Sequence, residues 1–276
     1  MTSSQKLTKF QMAAKRRFEL IIANAAVADE VYDALPESFG GRVISTDTAR
    51  FLDVSYRTVP AGKLRDIVPS WEGAWRYAQE RLEREITNRG HRRTLRFMAG
   101  GWASGKTFAL EGAERTDLAW DGTLGDSEWA ASRVIQALEF GWRVQIAYVQ
   151  RPIELALWGA LDRAVEEGRG VPLLELPGVH ARAQRSILTL HGLFGRDPRV
   201  AFVLIFNSGT KANPQKPRKL SISDIAPGGA AHYSDADVKS FQQTASEVWR
   251  AARQSGHYPE EILAAAGEGM GSGAGK

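Results

Sequence analysis

Cysteine is absent from the 276 residues, which excludes disulfide frameworks, thiol nucleophiles and thiolate metal sites together and accords with a reducing, cytoplasmic setting. The five histidines show no paired ligand spacing, so no zinc site is expected. Long apolar runs are also missing. None approaches the roughly 20 residues that a membrane span requires. The stretch "KRRFELIIANAAVADE" has the basic, apolar and small residues of a cleavable signal, but Glu19 and Asn24 interrupt its apolar part. The spacing of Leu7, Phe10, Phe18, Ile21 and Ile22 suits instead an amphipathic helix packed on the body. Neither sign of charge dominates: 36 Lys and Arg face 32 Asp and Glu, for a net charge of +4. Such a balance favours anionic substrates without demanding nucleic acid.

What is present is a loop with chemistry. "FMAGGWASGKTFAL" fits G-x-x-x-x-G-K-[ST] as Gly100, Gly105, Lys106 and Thr107. The glycines let the backbone N–H groups point at phosphate oxygens, the lysine neutralises the outer phosphates, and the threonine hydroxyl ligates magnesium. Gly101 and Ser104 complete the cradle. The flanks agree: "TLRFMAG" reads as a buried strand and "TFALEGAER" as the first turns of a helix whose N-terminus faces the phosphates.

Around this loop the chain divides into an N-terminal helical segment (1–40), a core (41–225), and a C-terminal helix with a Gly-rich tail (226–276), the tail "GEGMGSGAGK" reading as disordered. Within the core "GGRVISTDTARFLDVSYR" predicts a strand over Arg42 to Ser45 and a helix capped by Thr46 or Asp47. "PSWEGAWRYAQERLEREITNRGHRR" predicts a long helix with Trp71, Trp75, Tyr77, Leu82 and Ile86 as its apolar face. Seven arginines lie between Arg76 and Arg96. They read as a solvated face in preference to a nucleic-acid patch. Beyond the loop, "TDLAWDGTL", "WRVQIAYVQ" and "RVAFVLIFN" read as strands alternating with helices, which implies a parallel sheet with right-handed crossovers. Its C-terminal strand ends would gather Gly100, Asp121, Arg151 and Asn207. "GTKANPQKPRKLSISDIAPGGAAHYS" reads as an exposed loop, and "DADVKSFQQTASEVWRAARQSG" as a helix begun by Ser234 or Asp235.

These segments resemble the zeta-toxin-like P-loop kinases over about Gly41 to Asn207. "AGGWASGKT" stands for the phosphate loop, "WDGTL" for a strand ending in an acidic-Gly-Thr, "GWRVQIAYVQRP" for the next strand, and "ALDRAVEEGRGVP…VH" for arginine-bearing lid helices. The resemblance implies an α/β parallel-sheet P-loop NTPase core of kinase type. It also implies ATP with Mg2+ as cofactors, with Gly100, Gly101, Ser104, Gly105, Lys106 and Thr107 at the nucleotide and Thr107 and Asp121 at the metal. The acceptor would be a hydroxyl of a small, anionic, nucleotide-containing metabolite such as a UDP-sugar or dinucleotide. An antitoxin or other protein partner follows from the toxin type. Two other readings stand beside it, a polynucleotide 5′-hydroxyl kinase and a non-catalytic ATP-binding interaction protein.

One departure is informative. The family's Asp-x-x-Arg segment, source of its catalytic aspartate, normally lies between the phosphate loop and the Gly-Thr strand, yet only about fifteen residues separate Lys106 from Asp121. Asp47 and Arg50 have the same spacing before the loop. The expectation is a sequence-permuted sheet in which the N-terminal strand fills the missing place. Asp47, or failing it Asp121, is then the candidate base, unless Asp47 only caps its helix. Arg163 and Arg169 would close over the transferred phosphate, unless they only pair with Glu166 and Glu167.

Overall fold

The computed structural model describes residues 9–59, 70–89, 93–106, 116–210 and 212–268. Two helices open the chain, α1 (Lys9–Ala23) and α2 (Ala25–Asp33), followed by β1 (Val43–Ser45) and two single-turn helices, α3 (Thr46–Ala49) and α4 (Val54–Arg57). The long helix α5 (Trp71–Arg89) leads to β2 (Thr94–Ala99), the strand that enters the phosphate loop, and then come β3 (Leu118–Asp121), α6 (Ser127–Glu139) and β4 (Arg143–Gln150). Helices α7 (Ile153–Glu167) and α8 (Leu176–Phe194) cross to β5 (Val200–Phe206) and β6 (Arg218–Leu220), and α9 (Ile222–Ile225), α10 (Asp235–Ser255) and α11 (Glu260–Ala266) finish the fold. The helix expected after Lys106, with Thr107 in it, and the Gly-rich tail fall outside the described residues.

The strands form one sheet in the order β1-β3-β2-β4-β5-β6. All neighbours are parallel except β5 and β6. The fold is therefore mixed α/β with a mostly parallel six-stranded sheet. Its first strand in sequence pairs with β3, Val43 opposite Ala119 and Ser45 opposite Asp121, in the place left open by the short spacing between Lys106 and Asp121. The antiparallel β6 was expected as loop. It is three residues long with two exposed cations, too short and too charged to show an alternating pattern, and the Arg218 guanidinium lies 5.0 Å from the Phe206 ring centre.

Alternation along the strands builds both faces. Ile44, Phe97, Trp120, Ile146 and Tyr148 enter the main core, where α1, α2, α5, α6 and α8 cover them, while Val43, Met98, Ala119, Ala147 and Val149 cluster on the other face. A second core lies where α7 and α8 meet α10 and α11. The N-terminal helices belong to the main core, since Phe18, Ala28 and Tyr32 are buried in it.

On helix α5 the expected solvated face holds for Arg76, which is exposed, but not for Arg81 and Arg84. Arg81 is buried, with Nη2 2.5 Å from Asp33 Oδ1, and Arg84 bonds both Asp29 oxygens at 3.0 Å. Tyr77 donates to the same Asp29 at 2.6 Å. These cations clamp α2 to α5. The expected apolar face is also shifted: Ala74, Tyr77, Ala78, Leu82 and Ile86 are buried, whereas Trp71 and Trp75 are 55% and 39% exposed.

Candidate active site

β2 ends at Ala99, and the chain then winds through the phosphate loop against the ends of two neighbouring strands. Gly100 has φ +141°, and a Cβ there would meet the Val149 carbonyl at 2.5 Å. Gly105 has φ +84°, and a Cβ there would run into Asn207 Nδ2. Both positions demand glycine, by backbone conformation and by space together. Asn207, just past β5, donates its amide to the Ser104 carbonyl at 3.1 Å, so the loop is tied to the sheet's C-terminal edge. Lys106 places Nζ 3.1 Å from the Gly100 carbonyl and 3.2 Å from that of Gly101.

Behind the loop stands His180, which the sequence did not single out. Its Nε2 donates to the Trp102 carbonyl at 2.8 Å, and the ring occupies the space where a Gly101 side chain would be. Burial pushes its pKa down to about 4, with the cations Lys106 and Arg151 adding to the effect. The ring is neutral near pH 7.

Asp121 ends β3 beside the loop. Burial raises its pKa against the pull of Lys106, with the Asp47 charge acting in the same sense as burial. Its Oδ1 is buried and has no hydrogen-bond partner among the described residues. A hard, unpartnered carboxylate oxygen next to a phosphate loop fits a magnesium ligand; Thr107, the other expected ligand, lies outside the described residues.

Asp47 arrives from the opposite edge of the sheet, in the first turn after β1. It does not cap α3: its backbone N–H donates to Ser45 Oγ at 3.2 Å, so Ser45 is the cap and the expected Thr46 or Asp47 is not. The freed carboxylate pairs with Arg169 Nη1 at 2.8 Å. Burial would raise its pKa, but Arg169, Arg163, Arg50 and Lys106 together outweigh that and hold it below the usual carboxylate range. Arg169 also pairs with Glu167, so it joins the end of α7 to the β1 edge. Arg50 is buried, bonds Ser70 Oγ at 3.3 Å and sits 4.4 Å from the Tyr56 ring centre. Its positive charge is among those that favour the ionised Asp47 carboxylate.

One cleft of about 1820 Å³ joins these groups, lined by Asp47, Lys106, Asp121, Arg163 and Arg169 among others. A pocket for one drug-sized ligand occupies roughly 300–1,000 Å³. This cleft has room for a nucleotide and a second molecule. Arg151, Asn207, Gly209 and Thr210 line its β4–β5 side, and Trp71, Trp75 and Gln79 its β1 side.

Comparison with known proteins gives a match of residues 112–213 to the model of the Zeta toxin family. The matched segment starts beyond the phosphate loop and Asp47 and runs past β5. No curated protein matches the chain. Among solved structures, the native AvrRxo1-ORF1 complex with AvrRxo1-ORF2 aligns with a TM-score of 0.39 and 14% identity over 59% of this chain and 66% of that one. The complex with ATP aligns with a TM-score of 0.39 and 13% identity over 62% and 76%. This chain thus spans 66% of the length of the first of these relatives.

Proposed function

We propose, from the Zeta toxin match over residues 112–213 and the residues gathered in the cleft, that the protein is an ATP-dependent kinase transferring the γ-phosphoryl group to a hydroxyl of a small nucleotide-containing metabolite, a UDP-sugar or a dinucleotide. The observation that carries this reading is the convergence of Asp47 from β1, Asp121 from β3, and Lys106 from the phosphate loop in one cleft with Arg163 and Arg169.

Phosphoryl transfer asks little covalent chemistry of a protein; it asks for charge neutralisation, in-line positioning and a place for the acceptor's proton. Lys106 and the loop N–H groups hold the triphosphate. Arg163 and Arg169 neutralise charge on the transferred group. The acceptor oxygen bonds to the γ-phosphorus as the bond to the bridging oxygen breaks and ADP leaves, and the hydroxyl proton passes to the Asp47 carboxylate. A carboxylate kept ionised by four cations is a weak base. It suffices because the loose transition state releases that proton late. Magnesium, when bound through Asp121 and Thr107, supplies further neutralisation of the phosphate oxygens.

The polynucleotide-kinase reading loses its support from α5, where Arg81 and Arg84 are engaged with Asp29 and Asp33. The test is transfer of label from γ-labelled ATP into separate pools of UDP-sugars, NAD and 5′-hydroxyl oligonucleotides, with Lys106→Ala as control. Label in a nucleotide metabolite that disappears in the control is the expected result. Label only in oligonucleotides would overturn the acceptor class, and tight ATP binding without transfer to any pool would overturn kinase activity.

A further inference from the structure

Helix α5 exposes a stripe that its core packing does not use. Residues 71, 75 and 79 are four apart and so stand on one helical face, and all three, Trp71, Trp75 and Gln79, line the cleft. The two indoles are stacked, with ring centres 6.2 Å apart and planes inclined by 22°. Large aromatic surface left in water is costly. Here it lies inside a concave site, along one wall.

Gln79 gives an independent sign of a ligand. Its Oε1 accepts from the indole N–H of Trp129 at 2.6 Å, and because an indole nitrogen can only donate, that bond fixes which way the amide points. The other end, Nε2, is buried and has no hydrogen-bond partner among the described residues. The wall therefore offers flat aromatic faces and, beside them, an oriented amide donor lacking an acceptor among the described residues.

Position selects which molecule this wall serves. The stripe borders the β1 side of the cleft with Asp47, while Arg151, Asn207 and Thr210 lie on the β4–β5 side. We infer that Trp71, Trp75 and Gln79 form the base subsite of the phosphoryl acceptor, stacking its nucleobase on the indoles and donating the Gln79 amide to a ring carbonyl or ring nitrogen of that base. This deepens the proposed function and rests on it for the word acceptor. The binding of a base to the stripe does not.

The test uses the full chain with its phosphate loop occupied by a non-hydrolysable ATP analogue. Calorimetry compares UMP, AMP and ribose 5-phosphate as probes. Stacking on an aromatic side chain typically changes binding by about 5- to 150-fold per base, so wild type should bind a nucleotide at least about tenfold more tightly than ribose 5-phosphate. Trp71→Ala/Trp75→Ala should erase that preference, Trp75→Phe should retain most of it, and affinity for the ATP analogue should stay unchanged in all of them. Gln79→Leu should narrow the difference between UMP and AMP. In the transfer assay the double variant should raise the acceptor KM at least tenfold with little change in kcat. Equal binding of nucleotide and ribose 5-phosphate to wild type, or an undiminished preference in the double variant, would overturn the subsite. If the preference behaves as expected but no label is transferred to any acceptor, the kinase reading fails while the base site stands.

Discussion

Asp47 carries the sharpest consequence at the scale of single residues. Its carboxylate meets Arg169 across the cleft while its own helix is capped by Ser45. Asp47→Asn keeps the shape and removes the proton acceptor that the proposed transfer assigns to it, so the single-turnover rate should fall by about 10²–10⁴-fold while ATP affinity, measured separately, stays nearly constant. A rate within threefold of wild type would pass the role to Asp121. His180 makes a different prediction, about pH. Its pKa is lowered to about 4 in the folded protein, against about 6.5 in an unfolded chain. The unfolded state therefore takes up the proton first as pH falls. Stability contributed by the neutral ring is complete above pH 6.5, declines from there to about pH 4, and changes no further below. The slope is at most about 1.4 kcal/mol per pH unit. Urea denaturation across that window should show it, and His180→Gln should flatten it; parallel curves for the two proteins would contradict the buried neutral ring. Neither residue's surroundings were equally legible in the sequence. Asp47 stood out because a strand had no room between Lys106 and Asp121. His180 left no signal, since the Gly101 backbone it packs against comes from a segment 79 residues earlier (180 − 101).

The elements explain how Asp47 is held. β1 is an edge strand of three residues with only β3 beside it, and such an edge leaves backbone groups unpaired. Tyr32 of α2 satisfies them: its hydroxyl donates to the Val43 carbonyl at 3.0 Å and accepts from the Ser45 N–H at 2.9 Å. Tyr32→Phe leaves two buried backbone groups without partners at a cost of about 1–3 kcal/mol. Because Ser45 caps the turn that carries Asp47, the same change should slow transfer without weakening ATP binding. Denaturation midpoints and single-turnover rates measure the two effects; a loss of stability with an unaltered rate would show that β1 does not set the base. The strands β2, β3, β4 and β5 were readable as apolar runs, and α5 and α10 as periodic ones. The face of α5 was misjudged because hydrophobicity alone put Trp71 and Trp75 in the core. The small residues Ala74 and Ala78 mark the truly buried side, where a helix can approach the sheet closely. β6 carries no pattern at all.

For the whole molecule, the parallel sheet and the place of β1 followed from counting residues between motifs, whereas the second core around α10 and α11 did not. Nothing local in α11 says that it packs against α7; that contact is a property of the closed chain. The cleft is likewise a product of assembly, its walls drawn from α5, α7 and the strand ends. The strand order also has a temporal side. Val43 pairs with Ala119, a separation of 76 residues (119 − 43), which at ribosomal speeds of about 5–20 residues per second is on the order of 4–15 seconds of synthesis. Late in that interval the nascent protein carries both Asp47 and the phosphate loop, but β1 still has no strand to join. A product abandoned before residue 119 would contain Asp47 and Lys106 but neither Asp121, Arg163 and Arg169 nor the sheet that gathers these groups, so on the ribosome the protein would hold pieces of its cleft without the cleft, which exists only once the sheet closes.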